Sequence, residues 1–106
     1  MNPEIKRVWV RALRSGRYKR AEGALRIDFQ GEPHFCCLGV LCDLGEKKDW
    51  RERGDGTASY GSASSYLPKV VERLAAVPPK VQRRLATMND EGATFAEIAD
   101  YIEENL

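Results

Sequence analysis

The amino-acid sequence predicts one α+β domain, with helices packed on one face of a small antiparallel sheet. Its 106 residues are the length of a single domain. Hydrophobic residues make up 42% and charged residues 31%, which is typical of a globular fold and not of a disordered chain. Apolar residues recur at helical spacing near both ends, whereas a segment between them alternates as a strand does. We expect an N-terminal helix, a β-hairpin, a short buried helix, a polar loop and three C-terminal helices, all within residues 1–106.

The first helix is predicted over residues 3–15. Asn2 is a good N-cap, and Pro3 suits the first helical position because its missing N–H would have no partner there. Ser15 and Gly16 end the helix. One face carries the apolar stripe Ile5, Val8, Trp9, Ala12 and Leu13.

The hairpin is predicted within residues 17–37. Apolar and charged residues alternate from Leu25 to Phe29, as in a half-buried strand. The sequence Gln30-Gly31-Glu32-Pro33 has turn chemistry, and His34-Phe35-Cys36 supplies the returning strand.

A buried helix of about two turns is predicted next, over residues 37–44, which are apolar nearly all round. Periodicity alone does not separate helix from strand in such a run, but Leu38, Leu41 and Leu44 fit a helical face. Gly39 would let another backbone approach closely, since it has no side chain.

The remaining chain is predicted to form a polar segment and three helices. Residues 46–66 read as a second hairpin or a long loop, with Asp55-Gly56 as a turn pair. Leu67-Pro68 opens a helix that ends before Pro78, and a second helix covers about 79–88. Thr94 and Glu97 form a capping box that starts the last helix. The predicted core is Ile5, Val8, Trp9, Leu13, Leu25, Ile27, Phe35, Leu38, Leu41, Leu44, Val71, Leu74, Leu85, Phe95, Ile98 and Ile102.

Charge is distributed unevenly along a chain whose net charge is +1. Residues 1–26 hold eight basic and two acidic side chains, whereas residues 89–106 hold six acidic and no basic ones. The two ends could pair within one chain or between the subunits of a homodimer, and the homodimer is the preferred version. A third interpretation is an anionic ligand at the basic end.

The three cysteines, Cys36, Cys37 and Cys42, are predicted to pack in the core. Their spacing is not that of a zinc site, and an odd number of cysteines argues against a disulfide framework. A nucleophilic pair of His34 with Cys36 is conceivable on one face of a strand, but the apolar neighbours favour inert thiols. We therefore expect no catalytic residue, no metal and no cofactor.

Membrane insertion and specific DNA binding are not expected. No run is long and apolar enough for a transmembrane helix, and the N-terminus lacks the pattern of a signal peptide, which predicts a cytoplasmic protein. The segment from Thr94 to Ala99 resembles the first half of a helix-turn-helix, but no recognition helix follows it. The last helix is also acidic, which would repel phosphate.

The segments Phe35–Leu44 (FCCLGVLCDL) and Leu85–Asp100 (LATMNDEGATFAEIAD) resemble a family of small bacteriophage-encoded proteins. The opening helix with Ser15-Gly16-Arg17-Tyr18, the strand at Gly23-Ala24-Leu25-Arg26 and the helix start at Tyr66-Leu67-Pro68 fit it as well. The resemblance implies a phage or prophage origin and action in the host cytoplasm. It carries no assigned activity, so it transfers no site residue.

The functional expectation is a non-catalytic phage accessory protein, acting in host takeover or against host defence, that sequesters an anionic, nucleotide-like ligand. Basic side chains would hold the anion and aromatic ones would stack on a base. The alternative is an inhibitor that meets an acidic surface of a host enzyme or defence protein, and a Cys-dependent enzyme is a remote third. The candidate ligand-binding residues are Arg14, Arg17, Tyr18, Lys19, Arg20, Arg26, Trp50, Tyr60 and Tyr66.

Overall fold

The computed structural model describes residues 1–106, which form five α-helices and one five-stranded sheet. The α+β class and the predicted order of the helices are confirmed. The elements are α1 (Pro3–Arg14), β1 (Lys19–Arg20), β2 (Arg26–Phe29), β3 (Glu32–Phe35), α2 (Cys37–Asp43), β4 (Trp50–Glu52), β5 (Thr57–Tyr60), α3 (Lys69–Ala75), α4 (Pro79–Asp90) and α5 (Phe95–Asn105), with a 3₁₀ turn at Lys47–Asp49.

The sheet is mixed, and the expectation of a purely antiparallel sheet is wrong. Its strand order is β1-β3-β2-β5-β4, and β1 runs parallel to β3 while the other neighbours are antiparallel. The polar segment forms the second hairpin, β4–β5, and β5 pairs with β2 to join the two hairpins. The first hairpin turns at Gln30-Gly31 alone, both with positive φ, so Glu32 and Pro33 belong to β3.

Helix boundaries follow from local capping. The side chain of Asn2 accepts hydrogen bonds from the backbone N–H groups of Glu4 and Ile5. Thr94 and Glu97 form both hydrogen bonds of the predicted capping box. The helix α4 extends to Asp90, two residues further than predicted. No helix has the length and apolar character needed to cross a bilayer.

The core surrounds α2, of which every residue is buried, as predicted for this helix. Trp9 of α1, Leu85 of α4 and Ile98 of α5 are fully buried around it. Three predicted core residues are wrong, because Val8, Leu44 and Leu74 are 51%, 38% and 66% exposed. The half-buried residues of the predicted set are Ile5, Ile27 and Val71.

The acidic last helix packs on the basic first helix of the same chain. Arg14 donates to Asp100, at 2.5 Å, and to Glu103, and the Lys6 ammonium donates to the backbone carbonyl of Glu103. The version in which the two ends pair within one chain is thus found at Arg14, and the homodimer stays a prediction.

Truncating Leu41 tests whether the Phe35–Leu44 block is the core. Leu41 is 5% exposed, and Leu→Ala in a core removes transfer free energy and leaves a cavity. We expect Leu41→Ala to lower the free energy of unfolding by about 2–5 kcal/mol in urea denaturation. An unchanged denaturation midpoint would contradict this assignment.

Candidate functional site

A cationic groove lies between the C-terminal half of α1 and the β1–β3 side of the sheet. Its volume is about 820 Å³. The residues that line it, and define the name, are Val8, Arg11, Ala12, Ser15, Arg17, Tyr18, Lys19, Arg26, Glu32, Pro33, Phe35, Asp43, Leu44, Lys47 and Trp50.

The turn after α1 brings its basic residues to the groove. The Ser15 hydroxyl donates to the carbonyl of Ala12 and accepts from the backbone N–H of Arg17. Gly16, with φ of 76°, adopts a left-handed conformation that turns the chain toward β1. Arg17 and Tyr18 are therefore placed between the end of α1 and the sheet.

Asp43 is the polar centre of the groove, at the last position of α2. One carboxylate oxygen accepts from the Trp50 indole N–H at 3.0 Å. The other accepts from the Tyr18 hydroxyl at 2.8 Å and from the Lys47 ammonium at 2.6 Å. Asp43 is only 9% exposed, so these donors hold a nearly buried carboxylate and fix Tyr18 and Trp50 around it.

The same hydrogen bonds set the protonation states at the centre. Burial alone would raise the pKa of Asp43, but the hydrogen bonds from Lys47, Tyr18 and Trp50 outweigh it and lower that pKa. Burial, and then the hydrogen bond to Asp43, raise the pKa of Tyr18 to about 12. At neutral pH Asp43 is a carboxylate and Tyr18 is a neutral phenol that donates to it.

Aromatic rings form a connected wall of the groove. Tyr18 meets Phe35 edge-on at 5.2 Å between ring centroids, and Phe35 lies 5.9 Å from Trp50. The Arg26 guanidinium lies 5.5 Å from the centroid of the Trp50 ring. Tyr60 packs edge-on against Trp50 at 5.1 Å from behind the wall. Tyr18 and Trp50 are half-buried, so part of each ring is open to a ligand.

Five cations line the groove, and they differ in their partners. Lys19 is paired with Glu32, Arg26 with Asp28 at 2.8 Å, and Lys47 with Asp43. Arg11 and Arg17 take part in no salt bridge. These two arginines are the positive charges of the groove that the chain leaves without a carboxylate partner.

The predicted ligand-binding residues divide into two groups. Those that line the groove are Arg17, Tyr18, Lys19, Arg26 and Trp50. Those that do not are Arg14, Arg20, Tyr60 and Tyr66.

Each residue of the second group has a structural reason to be elsewhere. Arg14 is held by Asp100 and Glu103, and Arg20 donates to Glu22 at 2.7 Å. Tyr60 is 5% exposed, so its ring presents no open face on which a base could stack. Tyr66 is exposed and precedes α3.

Sequence reasoning missed two charged residues at the centre of the groove, Asp43 and Lys47. Arg11, by contrast, belongs to the basic end of the chain, residues 1–26, where an anionic ligand was one of the interpretations. The spacing of Asp43 and Lys47, four residues apart at a helix end, is a signal that could have indicated their pairing.

The cysteines lie outside the cationic groove and are buried, as predicted. Burial raises the pKa of Cys36 to about 11 and also raises the pKa values of Cys37 and Cys42. The Cys36 sulfur accepts from the backbone N–H of Gly39 and so caps α2. His34 contacts the Phe29 ring edge-on instead of a thiol. No cluster of three potential metal ligands is present.

Comparison with known proteins identifies a family. A family model described as "Domain of unknown function (DUF8296)" matches residues 1–106, and the chain belongs to that family. No curated protein and no solved structure matches the chain.

Proposed function

We propose that this member of the DUF8296 family is a binding protein that holds a phosphate-bearing, nucleotide-like small molecule in the cationic groove. The observation that carries the proposal is one concave site in which Arg11 and Arg17, both without carboxylate partners, lie beside the exposed parts of Tyr18 and Trp50. Guanidinium groups bind phosphate oxygens through charge-assisted hydrogen bonds, and aromatic rings stack on bases.

The electrostatics of the groove favour an anion. Five cations face two carboxylates, Glu32 and Asp43, and each carboxylate is already paired with a lysine. Lys19 and Glu32 are 58% and 57% exposed, so their pairing is weak and a phosphate can compete for the ammonium. The volume of about 820 Å³ is within the range that small-molecule sites occupy.

Sequestration fits the groove better than turnover. The hydrogen bond from Lys19 lowers the pKa of Glu32, and the donors around Asp43 lower the pKa of that group. Carboxylates with lowered pKa values are weak general bases at neutral pH. With the phage origin that the sequence resemblance implies, the ligand would be a nucleotide-like molecule of the host cytoplasm.

The test is binding of a phosphate panel to a matched pair of arginine variants. Isothermal titration calorimetry would compare inorganic phosphate, AMP, ATP and a cyclic dinucleotide. The salt concentration is kept low because dissolved ions screen the attraction between arginine and phosphate. We expect Arg17→Ala to weaken binding about tenfold to a hundredfold, since a charge-assisted hydrogen bond contributes about 1.5–3 kcal/mol. Its melting temperature should stay close to that of the wild type.

The matched control is Arg20→Ala, which removes an arginine outside the groove. It should keep the affinity and lose at most about 1 kcal/mol of stability, because it breaks one surface pair with Glu22. Equal affinity losses in the two variants would contradict the proposed site. Native mass spectrometry that found a host protein and no nucleotide on the purified chain would favour the inhibitor alternative.

A further inference from the structure

A second concave site, the apolar groove, adjoins the cationic groove. It lies between α1, the end of α2 and α3 and has a volume of about 350 Å³. Its apolar lining is Ile5, Val8, Leu41, Cys42, Leu44, Val71, Leu74 and Ala75, and Glu4 is its one charged residue.

The apolar groove leaves large hydrophobic side chains in water. Val8 and Leu74 are 51% and 66% exposed, and Val70, one helical turn before Leu74 on α3, is 61% exposed. Each exposed apolar surface costs free energy that burial would recover, at about 25 cal/mol per Å². A cluster of such residues on a small domain marks a binding surface.

The two grooves share a wall. Val8 and Leu44 line both of them. Val8 is one helical turn before Arg11 on the same face of α1, and Leu44 directly follows Asp43. A molecule held by Arg11 and Arg17 can therefore extend past Val8 onto apolar surface without crossing open solvent.

We infer that the ligand of the cationic groove is amphiphilic and carries an aliphatic chain that lies in the apolar groove against Val8, Leu44 and Leu74. This inference rests on the proposed function, because the anion anchors the chain. The charged end of such a molecule would lie in the cationic groove, and its chain would lie in the apolar groove, which begins at Val8 and Leu44.

A second copy of the protein fits the apolar groove less well than a chain does. A standard protein interface buries about 800 Å² on each partner, from about 20–30 residues. In this region only four large apolar residues are exposed, which is far fewer than such an interface needs. They are Val8, Leu44, Val70 and Leu74. The site is also concave, which suits a narrow chain.

The experiment measures how affinity depends on chain length. Calorimetry would use methyl, butyl and octyl phosphate below micelle-forming concentrations. Burial of one methylene contributes about 0.8 kcal/mol, or about fourfold. Because the groove is open on one side, we expect the dissociation constant to fall about two- to fourfold for each added methylene.

Two matched variants separate the grooves. Leu74→Ser should flatten the chain-length dependence and leave the affinity for methyl phosphate unchanged. Phe29→Ser removes an equally exposed apolar residue, 58% exposed on β2 and outside both grooves, and should keep the full dependence. Arg17→Ala should weaken the binding of all three alkyl phosphates by the same factor.

Each of the remaining outcomes of the titrations overturns either the amphiphilic ligand or the proposed function. A flat series with methyl phosphate still dependent on Arg17 overturns the amphiphile and leaves the proposed function. A steep series that does not respond to Arg17→Ala overturns the proposed function. No binding by any of the three alkyl phosphates overturns the amphiphile, while the nucleotide panel decides the proposed function. The amphiphile is also overturned if sedimentation shows a doubled mass that Leu74→Ser abolishes, or if vesicles of anionic lipid bind while octyl phosphate does not.

Discussion

Gly39→Ala is expected to lower the free energy of unfolding by at least about 3 kcal/mol, because overpacked cores lose about 1–3 kcal/mol even when side chains can adjust. A methyl group on Gly39 would lie 1.8 Å from the backbone oxygen of Leu25 and 2.8 Å from its carbonyl carbon. That oxygen accepts the backbone N–H of Cys36, and Leu25 is fully buried. The backbone therefore cannot retreat without breaking a hydrogen bond in the core.

The sign of this effect makes the test sharp. In a helix without a close neighbour, Gly→Ala stabilises by about 0.5–1 kcal/mol. Gly45→Ala is the control, since its added methyl group would lie 3.0 Å from the Tyr60 hydroxyl, the end of a side chain, and 3.3 Å from the nearest backbone atom, the Cys42 oxygen. We expect the smaller loss there. A raised urea midpoint for Gly39→Ala would contradict the close approach of α2 to Leu25.

Asn89→Leu is expected to cost about 2–5 kcal/mol of unfolding free energy, since each buried polar group that loses its partner costs about 1–3 kcal/mol. Asn89 is fully buried at the end of α4. Its carbonyl oxygen accepts the backbone N–H of Cys37 at 3.1 Å, and its amide nitrogen donates to the carbonyl of Ala21 at 2.7 Å. Leucine would leave both backbone groups buried without partners.

The same substitution at an exposed asparagine is the control. Asn105 bonds to the carbonyl of Tyr101 at the exposed end of α5, so Asn105→Leu should change stability by no more than about 0.5 kcal/mol. Chemical denaturation of the two variants under one condition measures the difference. Equal midpoints would show that Asn89 does not join α2 and α4 to the segment after β1.

Local signals predicted much of this fold, and packing decided the rest. Asn2, Thr94 and Glu97 cap their helices as expected because capping depends on a few neighbouring residues. The close approach at Gly39 was also predicted, since a glycine inside an apolar helix leaves room for a neighbouring backbone. The burial of Asn89, just past the predicted end of α4, was not predicted, because residue type alone does not show that a polar side chain has buried partners.

The exposed residues of α3 show where periodicity fails. Val71 and Leu74 were expected in the core, yet Leu74 is exposed, as is Val70 one turn before it. The helix has seven residues, so its contacts with neighbours, and not its own spacing, determine which side is covered. Val71 and Leu74, which the sequence predicted as core, line the apolar groove instead.

The cationic site was predicted only in part for a similar reason. Arg17, Tyr18 and Lys19 are close in sequence, so their shared location could be inferred. The pairing of Lys19 with Glu32 depends on the parallel contact of β1 with β3, which no local pattern indicates. The contact of Arg14 with α5 joins residues 86 positions apart, and this distance in sequence is why no local pattern indicates that Arg14 is paired outside the groove.

The packing of α1 on α5 also bears on the order of events during synthesis. Trp9, which is fully buried, belongs to α1, whereas Ile98 and Ile102 belong to α5, which leaves the ribosome much later. Contacts between segments so far apart in a chain form late, because closing the long intervening loop costs conformational entropy. The nascent chain therefore cannot cover the side of α1 that faces α5 until α5 has been translated, and transiently exposed apolar surface of this kind promotes aggregation.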